Sequence, residues 1–177
     1  TWRPPIGIQG PTSLPIRSGP AQLERVLSRL SQSQADGRGD IPHCLHHYAE
    51  RLRKRSLVIL ISDGFCDLNE FFEAMRHLRH GHHDICFFQL LDPEELEFPF
   101  SSGLRFVDLE TRHDSTCYAP KVQKAYLNRL TTFLDTLQRS CHEMGIDHRL
   151  CDTSHSLEKI LRQFLEEHPH MGTQRRS

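Results

Sequence analysis

Asp63 is the residue best placed to do chemistry. It follows Leu57-Val58-Ile59-Leu60-Ile61-Ser62, apolar at its first five positions and rich in β-branched side chains. Such a run predicts a strand covered on both faces in a parallel sheet, and α/β sheets bind their ligands beyond the carboxyl ends of their strands. A carboxylate there can face a metal ion or a partner, or it can be a turn aspartate paired with Gly64. Asp67 and Asp92 also follow predicted strand ends. One function the residues allow is therefore a metal-dependent hydrolase that uses Asp63 with Asp67 or Asp92 as carboxylate ligands.

Asp152-Thr153-Ser154-His155-Ser156 fits the pattern Asp-x-Ser-x-Ser, whose short oxygen ligands can hold a divalent cation. The same residues are what a helix start prefers, and we expect a capping role. Thirteen histidines gather mainly as His43, His46 and His47 in one predicted helix and His77, His80, His82 and His83 around the end of another. They lack a His-Glu-x-x-His motif and read as solvated surface residues, with a metal site as the lesser alternative. No Gly-x-Ser-x-Gly elbow, dinucleotide fingerprint or P-loop occurs. A binding module is what these patterns leave.

Twenty-two basic side chains face 23 acidic ones, so no net field draws in nucleic acid or an anionic membrane. The longest apolar runs fall far short of the roughly 20 residues that span a bilayer. Six cysteines (Cys44, Cys66, Cys86, Cys117, Cys141, Cys151) form no CxxC pair, which predicts reduced thiols and a cytoplasmic protein. The chain opens at Thr1-Trp2-Arg3 without an initiator Met, and we expect sequence upstream of it.

The elements that position these residues follow from periodicity. Residues 1–19 are rich in Pro and Gly, with edge-strand candidates at Ile6-Gly7-Ile8 and Leu14-Pro15-Ile16. From Pro20 a helix carries Leu23, Val26, Leu27 and Leu30 on one face. A second, capped by Asp40, carries Ile41, Leu45, Tyr48, Ala49 and Leu52. After Ser62-Asp63-Gly64 a helix with Leu68, Phe71, Phe72, Met75 and Leu78 stops at Gly81, and Ile85 to Leu91 forms the next strand, with polar Gln89 inside it. Asp92-Pro93 breaks that strand. Leu104 to Leu109 and Ser115 to Tyr118 predict a small inserted β-hairpin. A long helix from about Pro120 to Gly145, a strand from Ile146 to Cys151 and a closing helix through Leu157, Ile160, Leu161, Phe164 and Leu165 complete a domain over 20–168, before a tail at 169–177. The alternation predicts a three-layer, doubly wound, mostly parallel α/β sheet.

Three stretches resemble the bacterial domain-of-unknown-function family fifty-eight. They are Arg55 to Asp63; Leu90 to Phe100 with Phe106 to Glu110; and Ala125-Tyr126-Leu127 leading to Met144 to Asp147 and Asp152-Thr153-Ser154. The run Asp92-Pro93-Glu94-Glu95-Leu96-Glu97-Phe98-Pro99-Phe100 is the most specific. The resemblance implies a von Willebrand factor A-like fold, and it puts Asp63 where the family places the last acidic residue of a Mg²⁺-dependent adhesion site built from three loops. The family's middle-loop Thr falls at Gly39, which has no side chain to bind metal, and its Asp-x-Ser-x-Ser lies upstream of this chain. An incomplete site is therefore expected.

The resemblance also implies an accessory role beside a MoxR-type AAA+ ATPase, with Ser62, Asp63, Gly64, Asp92, Glu94 and Glu95 as the partner-facing surface. A vestigial product without activity of its own is a further expectation that Thr1 and Gly39 allow.

Overall fold

The computed structural model describes residues 19–32, 40–107 and 114–167. The edge strands expected before Gly19, the expected metal-loop position Gly39 and the tail after 168 lie outside them. The chain divides into two units, Thr1–Asp40 with Val107–Asp114, and Ile41–Phe106 with Ser115–Ser177.

In the first unit the described element is helix α1 (Pro20–Gln32). It forms where expected, but Leu23, Leu27 and Leu30 are all exposed and none of its residues is buried.

The second unit is built on a parallel sheet of β1 (Leu57–Ser62), β2 (Asp84–Leu91) and β5 (Asp147–Asp152), in the order β1-β2-β5. Leu57 pairs with Asp84 and Ser62 with Gln89; on the other side Cys86 pairs with Asp147 and Leu91 with Asp152. Parallel neighbours need a crossover, and α3 (Leu68–His80) supplies the one between β1 and β2. Between β2 and β5 run a short α4 (Pro93–Glu97), strands β3 (Gly103–Val107) and β4 (Asp114–Tyr118), which pair in a separate two-stranded sheet, and α5 (Ala119–Glu143). The inserted two-stranded element is thus present, while the expected positions 108 and 109 fall outside the described residues.

Alternate residues of β2 serve opposite faces of the sheet. Ile85 and Phe87 join Val58 and Leu60 under α3 and α5, packed on Phe71, Met75, Leu78, Leu137 and Cys141; α2 (Ile41–Arg51) adds Leu45 to this cluster. Cys86 and Phe88 face the other way with Cys151, against Ile160 and Phe164 of α6 (Leu157–Glu167). The α/β class and the parallel sheet with helices on both faces agree with the sequence reading.

One expectation needs correction, while the Asp92-Pro93 break and the Gly81 stop both hold, with β2 ending at Leu91 and α3 at His80. Among the described residues the β1 run is covered on one face only: Leu57, Ile59 and Ile61 are 39, 52 and 64% exposed. Its continuous apolar character announces a parallel strand, but α6 covers the β2–β5 side, and β2 is the sole strand paired with β1 among the described residues. Asp92-Pro93 does more than break a strand. It opens α4 with a capping box, in which the Asp92 carboxylate accepts from Glu94 N while the Glu95 carboxylate accepts from Asp92 N. Gly81 caps α3 without a left-handed backbone; His82 takes that conformation, with φ 58°. Glycine is required at 81 because a Cβ there would lie 2.7 Å from the ring of His83.

Candidate functional site

The carboxyl edge of the sheet is shaped by the turn after β1. Asp63 is exposed, and its Oδ1 accepts from Phe65 N at 3.1 Å and from Ser62 Oγ at 3.3 Å. Ser62 Oγ in turn accepts from Gly64 N at 3.1 Å. Gly64 has φ 77°, and a Cβ on it would stand 3.0 Å from Phe87 Cζ, so this turn admits glycine alone without strain. The ring of Phe65 is thereby held out at the surface, 47% exposed, with its centroid 5.4 Å from that of Phe133 on α5.

From beneath, the turn is held by a residue that sequence reasoning passed over. Gln89 is fully buried in the middle strand and donates its amide to the Asp63 carbonyl at 2.8 Å, while its Oε1 meets His148 Nε2 at 3.0 Å. With the amide committed to the carbonyl, Oε1 is an acceptor and His148 carries its proton on Nε2. Burial lowers the basicity of His148 and keeps it neutral, against the opposing charge of Asp147. The signal in the sequence was one polar residue inside an otherwise apolar strand.

The other edge acids are bonded to local backbone. Asp67 caps α3, accepting from Asn69 N at 2.9 Å and Glu70 N at 3.1 Å. Asp92 is held by α4 and by Thr153 Oγ1 at 3.1 Å, and Thr153 N donates to Leu91 O, so the ends of β2 and β5 are tied together. Glu94 is exposed, whereas Glu95 is half-buried in the capping box and its carbonyl accepts from Tyr126 Oη at 3.0 Å. Asp152 ends β5 and accepts from Ser154 N at 2.8 Å. Hydrogen bonds from the Ser154 hydroxyl and amide hold its carboxyl below the usual carboxylate range. Asp152 thus organises a turn before α6 and does not itself take the expected capping role; the first turn of that helix bonds back to the Ser156 carbonyl instead.

Among the described residues no three His, Cys, Asp or Glu side chains stand together as a metal set. A Mg²⁺ ion at this edge would rest on the Asp63 carboxylate, one of whose oxygens already serves its own turn. These residues do not fit a self-contained Mg²⁺ site. No helix among them is long and apolar enough to cross a membrane.

The histidines are not uniformly solvated. His83 is 1% exposed, with Nδ1 accepting from Ser56 N at 3.2 Å, because it closes the tight link between α3 and β2. His46 and His77, from separate helices, place their Nδ1 atoms 3.1 Å apart. Cys44, Cys66, Cys86, Cys141 and Cys151 are thiols outside any disulfide, and desolvation pushes Cys86 up to about 11 and Cys141 to about 12. Near the start of β5, an open cavity of about 700 Å³ is lined by Asp135, Gln138, Arg139, His142, Asp147 and His148. No sequence signal pointed to it, since its walls come from α5 and β5 by tertiary packing.

No curated protein and no solved structure matches the chain. A family model described as "Protein of unknown function DUF58" matches residues 6–130. That span includes the Arg55 to Asp63 and Leu90 to Phe100 stretches and ends before Met144, so the resemblance read further along, from Met144 to Ser154, lies beyond it. The match takes in more than half of the 177 residues, and the chain belongs to the DUF58 family.

Proposed function

We propose that this chain is a non-catalytic protein-interaction domain that docks through the carboxyl edge of its parallel sheet. The observation that carries the reading is the Ser62 to Phe65 turn. An exposed carboxylate and an exposed aromatic ring stand side by side on a backbone fixed by Gly64 from within and by Gln89 from below. A rigid aromatic anchor beside a charge is the composition of a binding hot spot, because little side-chain freedom is lost when a partner covers it. The exposed acids Asp92 and Glu94 extend the same edge with negative charge.

In this reading the sheet is part of a von Willebrand factor A-like domain and Asp63 is the remaining acidic position of an incomplete adhesion-type metal site. The partner is a MoxR-type AAA+ ATPase, as the family resemblance implies. Asp67 and Asp92 support a binding rather than a catalytic edge, since both carboxylates are engaged as helix caps.

The test is capture of partners by the tagged chain, compared with Phe65→Ala and Asp63→Ala. A MoxR-type ATPase retained by the parent and lost by both variants is the expected result. Retention that is indifferent to both substitutions, or recovery of no AAA+ ATPase, overturns the reading.

A further inference from the structure

We propose that His46 and His77 form a two-histidine clamp for a divalent transition-metal ion of the Zn²⁺ type, which staples α2 to α3. The two residues are 31 positions apart in sequence, and helix packing brings their Nδ1 atoms to 3.1 Å. Metal–imidazole bonds of about 2.0–2.1 Å subtend roughly 100° at that separation. This lies between the cis angle of a square plane, about 90°, and the tetrahedral angle, about 109°. In these rotamers the spacing is thus already that of neighbouring ligands on one ion.

The chemistry is consistent with neutral imidazoles. Two Nδ1 atoms in contact must be one donor and one acceptor, so one ring carries its proton on Nδ1 and the other on Nε2. Metal binding asks the donor ring to move its proton to Nε2, after which both Nδ1 lone pairs can turn toward the ion. His77 is exposed and His46 half-buried, and the rings are tilted by 47° with centroids 5.4 Å apart. Among the described residues no third His, Cys, Asp or Glu completes a set, so water fills the remaining positions. The ion's effect is mechanical: α2 buries only Pro42 and Leu45, and a bond across to α3 would hold it more firmly. This site is separate from the Asp63 edge, and its outcome does not depend on the docking proposal.

Calorimetric titration of the full chain with Zn²⁺, together with thermal melts with and without the ion, tests the clamp. Saturable one-to-one binding that raises the melting temperature is expected. His46→Gln and His77→Gln should each abolish both effects while melting like the parent in metal-free buffer, and His80→Gln, one turn beyond His77, should leave both intact. Absence of binding by the parent overturns the proposal, as does binding that survives in His46→Gln and His77→Gln or is lost equally in His80→Gln.

Discussion

Gln89 donates its buried side-chain amide to the main-chain carbonyl of Asp63 at 2.8 Å, which makes the middle strand the support of the candidate docking turn. Ser62 and Gln89 are register partners in adjacent strands, so the bond crosses a single strand spacing. Its other end reaches His148 on β5, and one amide therefore links all three strands. A wholly buried amide satisfied at both ends is stabilising, whereas the same group half-satisfied would be a defect.

Replacing Gln89 with Leu removes this link. The Asp63 carbonyl and the His148 N–H both lose their partner in a part-buried setting. The expected cost is about 1–3 kcal/mol. Urea unfolding checks it, as a lowered midpoint at unchanged slope.

His148 predicts a pH dependence with a definite sign. Burial depresses its folded-state pKa below the ordinary 6.5, so the unfolded chain binds a proton first as pH falls. Its contribution is fully present above that ordinary value and is lost as pH drops from there toward the folded value. His148→Gln keeps a donor for Gln89 Oε1 but cannot titrate. The loss of stability between pH 7.5 and 5.5 should therefore be smaller in the variant, as read from urea midpoints at each pH.

Where burial follows local pattern, the sequence was legible. The Phe71, Phe72, Met75 and Leu78 face of α3, the Leu130, Leu137 and Cys141 stripe of α5, and strand β2 all stand where periodicity put them. The exposed face of β1 was not, because an apolar run records what a strand can pack against and not whether a layer covers it. The α4 capping box was legible in principle as Asp92 with Glu95 three residues on. The Asp92-Pro93 pair read instead as a strand breaker. Of the candidate edge, Asp63 and its turn could be read, but Gln89 and His148 could not be joined without the register of β2 and β5. The pairing of His46 with His77 has no sequence signature at all, since only helix packing sets it.

Gly64 should tolerate no side chain. A left-handed backbone costs an L-residue about 1–2 kcal/mol, and the new Cβ would also press on Phe87 Cζ at 3.0 Å. Gly64→Ala is expected to destabilise by more than about 1 kcal/mol. Asn, which accepts left-handed backbone more readily, should not rescue position 64, because its Cβ meets the same ring. Equal stability of Gly64→Asn and the parent in thermal melts would show that backbone conformation alone decides this position.

The uncovered face of β1 sets two neighbouring residues apart. Ile59 pairs with Cys86 and Leu60 with Phe87, yet Ile59 is 52% exposed while Phe87 is fully buried between α3 and α5. An exposed apolar face on a strand at the margin of a sheet invites association, and a lysine there opposes it through charge and hydration. Ile59→Lys should change unfolding free energy by under about 1 kcal/mol, within the range of strand preference at a partly exposed position. Phe87→Ala should cost about 3–5 kcal/mol, the usual penalty for emptying an aromatic site in a core. Light scattering at raised protein concentration should show less self-association for Ile59→Lys than for the parent. If Ile59→Lys instead unfolds the chain as Phe87→Ala does, that face of β1 is covered in solution, and the exposed Leu57, Ile59 and Ile61 side chains belong to a layer of the protein's own core.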